Sequence, residues 1–103
     1  MRCRAVRWVS DDPQPGWVEV QLTDATGTVW SLFDKPPIFD ADGQLTPDAT
    51  YPVDVELDCE IVTREADDNG RELVVISTRR PWGVETESGR HRFEVEPGQL
   101  AGA

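Results

Sequence analysis

The sequence predicts an all-β fold, a small closed or partly open antiparallel β-barrel of six to seven strands, with residues 1–103 forming one domain. Three observations carry that expectation. Short runs alternate apolar and polar residues with a period of two, the pattern of a half-buried strand. Turn-forming residues separate the runs, and no segment holds a helical period over several turns. With 38% hydrophobic residues and four tryptophans the chain has enough apolar surface for one core. Closure into a barrel is favoured because it removes exposed strand edges.

The first strand is expected over Arg2 to Val9, where the parity slips between Ala5 and Trp8 and suggests a bulge. Ser10 to Gly16 holds two prolines and a glycine and cannot continue a ladder. Trp17 to Leu22 follows with Val18, Val20 and Leu22 on the inner side and Trp17 on the outer. Asp24-Ala25-Thr26-Gly27 is a hairpin turn leading into Thr28 to Phe33. Residues 34–50 form the longest irregular segment. Pro36-Pro37 should be extended there, with Ile38, Phe39 and Leu45 folding back as a plug over one end of the core.

Val53 to Ile61 alternates without a break, and every residue on its polar side is a carboxylate: Asp54, Glu56, Asp58 and Glu60. Val53, Val55, Leu57, Cys59 and Ile61 should face the core. Asp67-Asp68-Asn69-Gly70 predicts a tight hairpin of the Asn-Gly kind, with positive φ at both central residues. Glu72 to Thr78 is a nearly continuous apolar run, as a central strand requires. Val84 to Thr86 and Arg92 to Val95 flank a further hairpin at Glu87 to Arg90, and Gln99 to Ala103 should be a frayed tail.

The net charge of −10, from 20 acids against 10 bases, repels phosphate backbones and anionic lipid, so nucleic acid is an unfavoured partner. Lys35 is the sole lysine among those ten bases, a usage that suggests a GC-rich bacterial genome. No run approaches the ~18 apolar residues of a membrane span. The charged start at Met1 to Arg7 has no apolar stretch behind it, so the expected location is the cytoplasm. Cys3 and Cys59 are then free thiols, expected to be buried on strands and to react with thiol reagents only on unfolding.

Like charges at alternate strand positions lie ~6.6 Å apart. They repel by roughly 0.6 kcal/mol per pair in water, or about 2 kcal/mol for the row. Either cross-strand arginines neutralise it, with Arg2, Arg4 or Arg71 available, or the row recognises a basic partner. A second candidate is Arg79-Arg80-Pro81-Trp82-Gly83, since Arg and Trp are enriched at binding hot spots and the turn would display the ring. Asp40-Ala41-Asp42-Gly43 has calcium-loop spacing, but the first and twelfth ligand positions fall on Ile38 and Ala49, so it reads as an ordinary turn. His91, the single histidine, lies between arginines and reads as solvated. No cofactor or metal site is expected.

The segments Trp30 to Phe39, with Asp34-Lys35-Pro36-Pro37-Ile38-Phe39 at their end, Tyr51-Pro52-Val53 and Arg80-Pro81-Trp82-Gly83-Val84-Glu85 resemble a group of short, uncharacterised bacterial all-β proteins. The resemblance implies a stand-alone small barrel and no catalytic residue. A looser similarity to the β-barrel domains of translation factors rests on strand count. The expected function is therefore non-catalytic binding by a monomer or dimer. Its acidic face would meet a basic protein, in the manner of an inhibitor, immunity or adaptor protein. An oligonucleotide-binding barrel using Arg79, Arg80, Arg90, Arg92 and Trp82 is the alternative, and a small enzyme using carboxylates is the third.

Overall fold

Alternation in β2 (Trp17–Thr23) sends Val18, Val20 and Leu22 to one face, and all three are fully buried. β2 pairs antiparallel with β1 (Arg2–Ser10) on one side and with β3 (Val29–Asp34) on the other. β4 (Val53–Glu56) pairs with the outer side of β1, giving a four-stranded sheet in the order β3-β2-β1-β4. β5 (Glu60–Ala66), β6 (Glu72–Ser77) and β7 (Arg92–Val95) form a second antiparallel sheet in sequence order. The computed structural model describes residues 1–12, 14–40 and 43–100. None of its helices is long and apolar enough to cross a membrane.

Neither sheet closes on itself, so the expected barrel is instead two open sheets that share a core. Val20, Leu22, Leu32 and Val55 of the first sheet belong to one cluster with Val74, Ile76, Phe93 and Val95 of the second. The reason lies in the acidic segment, whose unbroken alternation predicts one strand. Its ladder stops at Leu57-Asp58-Cys59, and the chain passes there from the first sheet to the second. Leu57 is fully buried at this crossing, and its N–H donates to the Met1 carbonyl at 2.9 Å. Beyond the crossing the expected parity fails. Ile61 is 48% exposed, and a register shift follows between Ile61 and Thr63. The bulge expected in β1 is present, between Ala5 and Arg7, and a second register shift follows between Trp8 and Ser10.

Three turns share one construction. Asp24 accepts the N–H groups of Thr26 and Thr28 at 2.9 and 3.0 Å, and Asp67 does the same for Asn69 and Arg71 at 2.9 and 2.8 Å. Thr86 Oγ1 accepts Arg90 N–H at 3.0 Å. Each turn places a glycine fourth, Gly27, Gly70 and Gly89, with φ of 86°, 79° and 87°. Asn69 does not take positive φ, so the Asn-Gly geometry expected from the sequence gives way to a longer turn in which the Asp67 carboxylate satisfies two N–H groups.

Pro36 and Pro37 are not extended either. They open a single helical turn, α1 (Pro36–Phe39), because a first turn needs no N–H donors and suits the proline φ. Phe39 and Leu45 are buried against the core, as the plug required. Nor is the tail frayed throughout. Pro97–Gln99 forms a 3-10 turn, the Gln99 side-chain amide donates to the Thr23 carbonyl at 2.8 Å, and Leu100 is buried. Pro13, residues Ala41 and Asp42 of the Asp-Gly turn, and 101–103 lie outside the described residues.

Candidate functional site

Pairing of β4 with β1 sets Glu56 opposite Arg2 and Asp54 opposite Arg4. Arg4 Nε stands 4.0 Å from Asp54 Oδ1, whose side chain is 96% exposed. Glu56 lies 3.8 Å from the Met1 ammonium. Arg71 makes no contribution to the row. Its guanidinium bonds Glu96 and the Ala25 carbonyl, so it ties the second sheet to the β2–β3 turn. Asp58 accepts the Trp82 indole N–H at 3.3 Å, and no cation pairs with Asp58 or Glu60 among the described residues. Half of the row is thus weakly compensated and half is not. A groove of about 660 Å3 runs over the outward side of this region, lined by Arg2, Arg4, Gln21, Asp54 and Glu56 among others.

The structure therefore joins two features that are distant in sequence, the end of the acidic row and the Trp82 turn. Trp82 remains 51% exposed, and the neighbouring Arg79 and Arg80 enter no ion pair among the described residues. Arg90 is placed elsewhere. Its guanidinium carbon sits 4.2 Å from the Trp30 ring centroid, and its Nε donates to the Arg92 carbonyl. The arginines proposed for oligonucleotide binding are accordingly not all free to meet a phosphate.

His91 is half-buried rather than solvated, with Nδ1 2.8 Å from Ser77 Oγ. That hydroxyl is also reached by the Arg79 N–H at 3.3 Å. A nucleophile–base pair needs a third group to orient the imidazole, and no carboxylate among the described residues bonds His91. The contact joins β6 to the segment entering β7. Among the described residues no group of three or more His, Cys, Asp or Glu is placed to hold a metal ion.

Two carboxylates outside the row are held below their usual range. For Glu19 the main cause is the Ser31 hydroxyl, 2.7 Å away, which with Arg7 outweighs the opposing effect of burial. For Asp24 burial pushes upward, but hydrogen bonds from Trp30, Thr26 and Thr28 together exceed it. A depressed folded pKa contributes stability above the ordinary value, and that stability is lost as pH falls through the folded one. Asp24→Asn should cost about 1 kcal/mol at pH 7. Its deficit should shrink as pH drops below the ordinary 3.8 of an aspartate, read from urea midpoints across the acid range. Asp34 behaves oppositely. Burial raises its carboxyl, so its contribution is full at low pH and fades as pH rises through the raised value.

Burial also raises both thiols, Cys3 to about 12. Cys3 is buried as expected, whereas Cys59 is half-buried beside the strand break. A maleimide at pH 7.5 should therefore label Cys59 slowly in the native protein and leave Cys3 unmodified until unfolding. Prompt modification of Cys3, mapped by peptide mass, would contradict the packing of β1 against the core.

A further surface brings together segments distant in sequence. Trp17 and Phe33 stand on the outward side of the first sheet and line, with Val9, Glu85, Thr86 and Glu87, a pocket of about 340 Å3. An adjoining cleft of about 410 Å3 has Val29, Trp30, Ser31 and Phe33 on one side and Thr86, Glu87 and Ser88 on the other. The outward parity of Trp17 is the one signal legible in sequence; the approach of residues 85–88 is not. Compared with protein-family models, curated proteins and solved structures, the chain gives no significant match to any of them.

Proposed function

We propose that the protein is a non-catalytic binding protein whose acidic face, Asp54, Glu56, Asp58 and Glu60, meets a basic surface on a partner protein. An inhibitor, immunity or adaptor protein of the bacterial cytoplasm, monomeric or dimeric, would work in this way. The observation that carries the reading is the incomplete compensation of the row, with Asp54 96% exposed and its arginine at 4.0 Å. Carboxylates held on a backbone at fixed spacing steer a partner of opposite sign and reject one of like sign. The net charge of −10 gives the whole molecule a field of the same sign as the row.

The test is a paired charge reversal. Asp54→Lys with Asp58→Lys should abolish capture of a basic protein from native lysate while the circular dichroism spectrum is unchanged, since both sites are exposed. Arg79→Ala with Arg80→Ala should leave capture intact. One observation favours a second reading: Trp82 is 51% exposed on the same turn as Arg79 and Arg80, as an oligonucleotide stacking site would need. If the arginine pair proves essential and the captured material is nucleic acid, that second reading replaces the first.

A further inference from the structure

The cleft along β3 lies at the opposite edge of the first sheet from β4, and it shares only Val29 with the groove that holds Asp54 and Glu56. β3 is an outer strand, and its far edge has no strand partner among the described residues. An unpaired edge offers N–H and C=O groups to an added strand. Facing it, residues 86–90 form a wall closed by its own hydrogen bonds. Thr86 is buried, Thr86 N–H donates to the Arg90 carbonyl at 2.9 Å, and Arg90 is stacked on Trp30. The pocket continuing from the cleft combines the half-exposed rings of Trp17 and Phe33 with the carboxylates of Glu85 and Glu87. Neither carboxylate enters an ion pair among the described residues.

We propose that this cleft receives an extended segment of a partner protein, which adds to the β3 edge and places a lysine or arginine between the Trp17 and Phe33 rings and the Glu85 and Glu87 carboxylates. Charge complementarity selects the occupant. Two unpaired carboxylates beside aromatic faces attract a cation whose alkyl stem can cover the apolar lining. The Arg90–Trp30 stack, 4.2 Å to the centroid, is the same interaction made within the chain at the neighbouring wall. This inference goes beyond the reading of the acidic row and stands or falls separately from it.

The test uses the full chain, labelled with nitrogen-15, and the blocked peptide Thr-Val-Arg-Val-Thr. Saturable shifts are expected at the amides of Val29 to Phe33 and Thr86 to Ser88 and at the Trp17 indole. A peptide with glutamate in place of arginine should bind roughly tenfold more weakly or worse, and so should one N-methylated at alternate positions, which cannot pair with a strand edge. Glu85→Gln with Glu87→Gln should weaken the arginine peptide by roughly tenfold. Asp54→Lys with Asp58→Lys should leave its binding unchanged. Any one of four results would overturn the proposal: no shifts, equal binding of the glutamate peptide, equal binding of the N-methylated peptide, or shifts confined to residues 54–60. Concentration-dependent shifts at Val29 to Phe33 without peptide would overturn it as well, by assigning the edge to a second copy of this chain.

Discussion

Leu57→Ala should remove ~2–5 kcal/mol of folding stability, the cost of emptying a fully buried leucine site that can collapse only in part. Leu57 is 0% exposed and sits where the chain leaves the first sheet for the second. Its carbonyl accepts the Met1 ammonium at 3.0 Å, so its backbone is fixed on both sides and cannot follow a smaller side chain inward. Domains of this size hold only ~5–15 kcal/mol in total, so the loss is a large share. Urea denaturation should show a lower midpoint with an unchanged slope, against Asp48→Ala as an exposed control. A shift no larger than that of the control would mean that the crossing does not anchor the core.

Gly16→Ala should be comparably damaging, by ~2–4 kcal/mol, through two additive causes. Gly16 has φ of 110°, a conformation that L side chains rarely adopt. A Cβ there would lie 2.3 Å from Trp8 Cζ2 and 2.7 Å from Trp8 Cη2. The indole cannot simply swing aside, because its Nε1 donates to Asp11 Oδ1 at 2.8 Å and its ring packs against the core. Gly27→Ala isolates the conformational part, since φ is 86° and nothing lies within 4 Å of its Cβ. Thermal unfolding of both variants separates the terms. Equal losses at the two sites would show that Trp8 does not confine Gly16.

Much of the fold was legible where a side-chain pattern decides it. Val18, Val20 and Leu22 follow strand parity into the core, and the apolar run of β6 is the central strand of its sheet. The break at Leu57-Asp58-Cys59 was hidden because alternation reports which way side chains point, not which strand bonds the backbone. Leu57 still faces inward and Asp58 outward while the ladder partner changes from β1 to β6. The same blindness concealed the cleft beside β3. Glu85 and Glu87 read as loop carboxylates, and only the fold brings them to Trp17 and Phe33. Arg4 was readable as a cross-strand partner and stands opposite Asp54, though only at 4.0 Å, but Arg71 was drawn to Glu96 by the position of its turn.

The three glycine turns also set an order of events. Those at Gly27 and Gly70 close the β2–β3 and β5–β6 hairpins from residues adjacent in sequence, so their loop-closure entropy is small, whereas the Gly89 turn lies within the 78–91 connection, where the expected strand Val84 to Thr86 does not form. Bringing Arg4 to Asp54 costs roughly 2 kcal/mol more by the logarithmic dependence on loop length. The β1–β4 joint is consequently late to assemble and early to open, and its amides should exchange with solvent deuterium ahead of those of β2. A partner seated on Asp54 and Glu56 would hold that joint shut. Occupancy of the acidic edge would then lengthen the lifetime of the folded chain, and the bound protein would resist proteolysis in proportion to how tightly it is held.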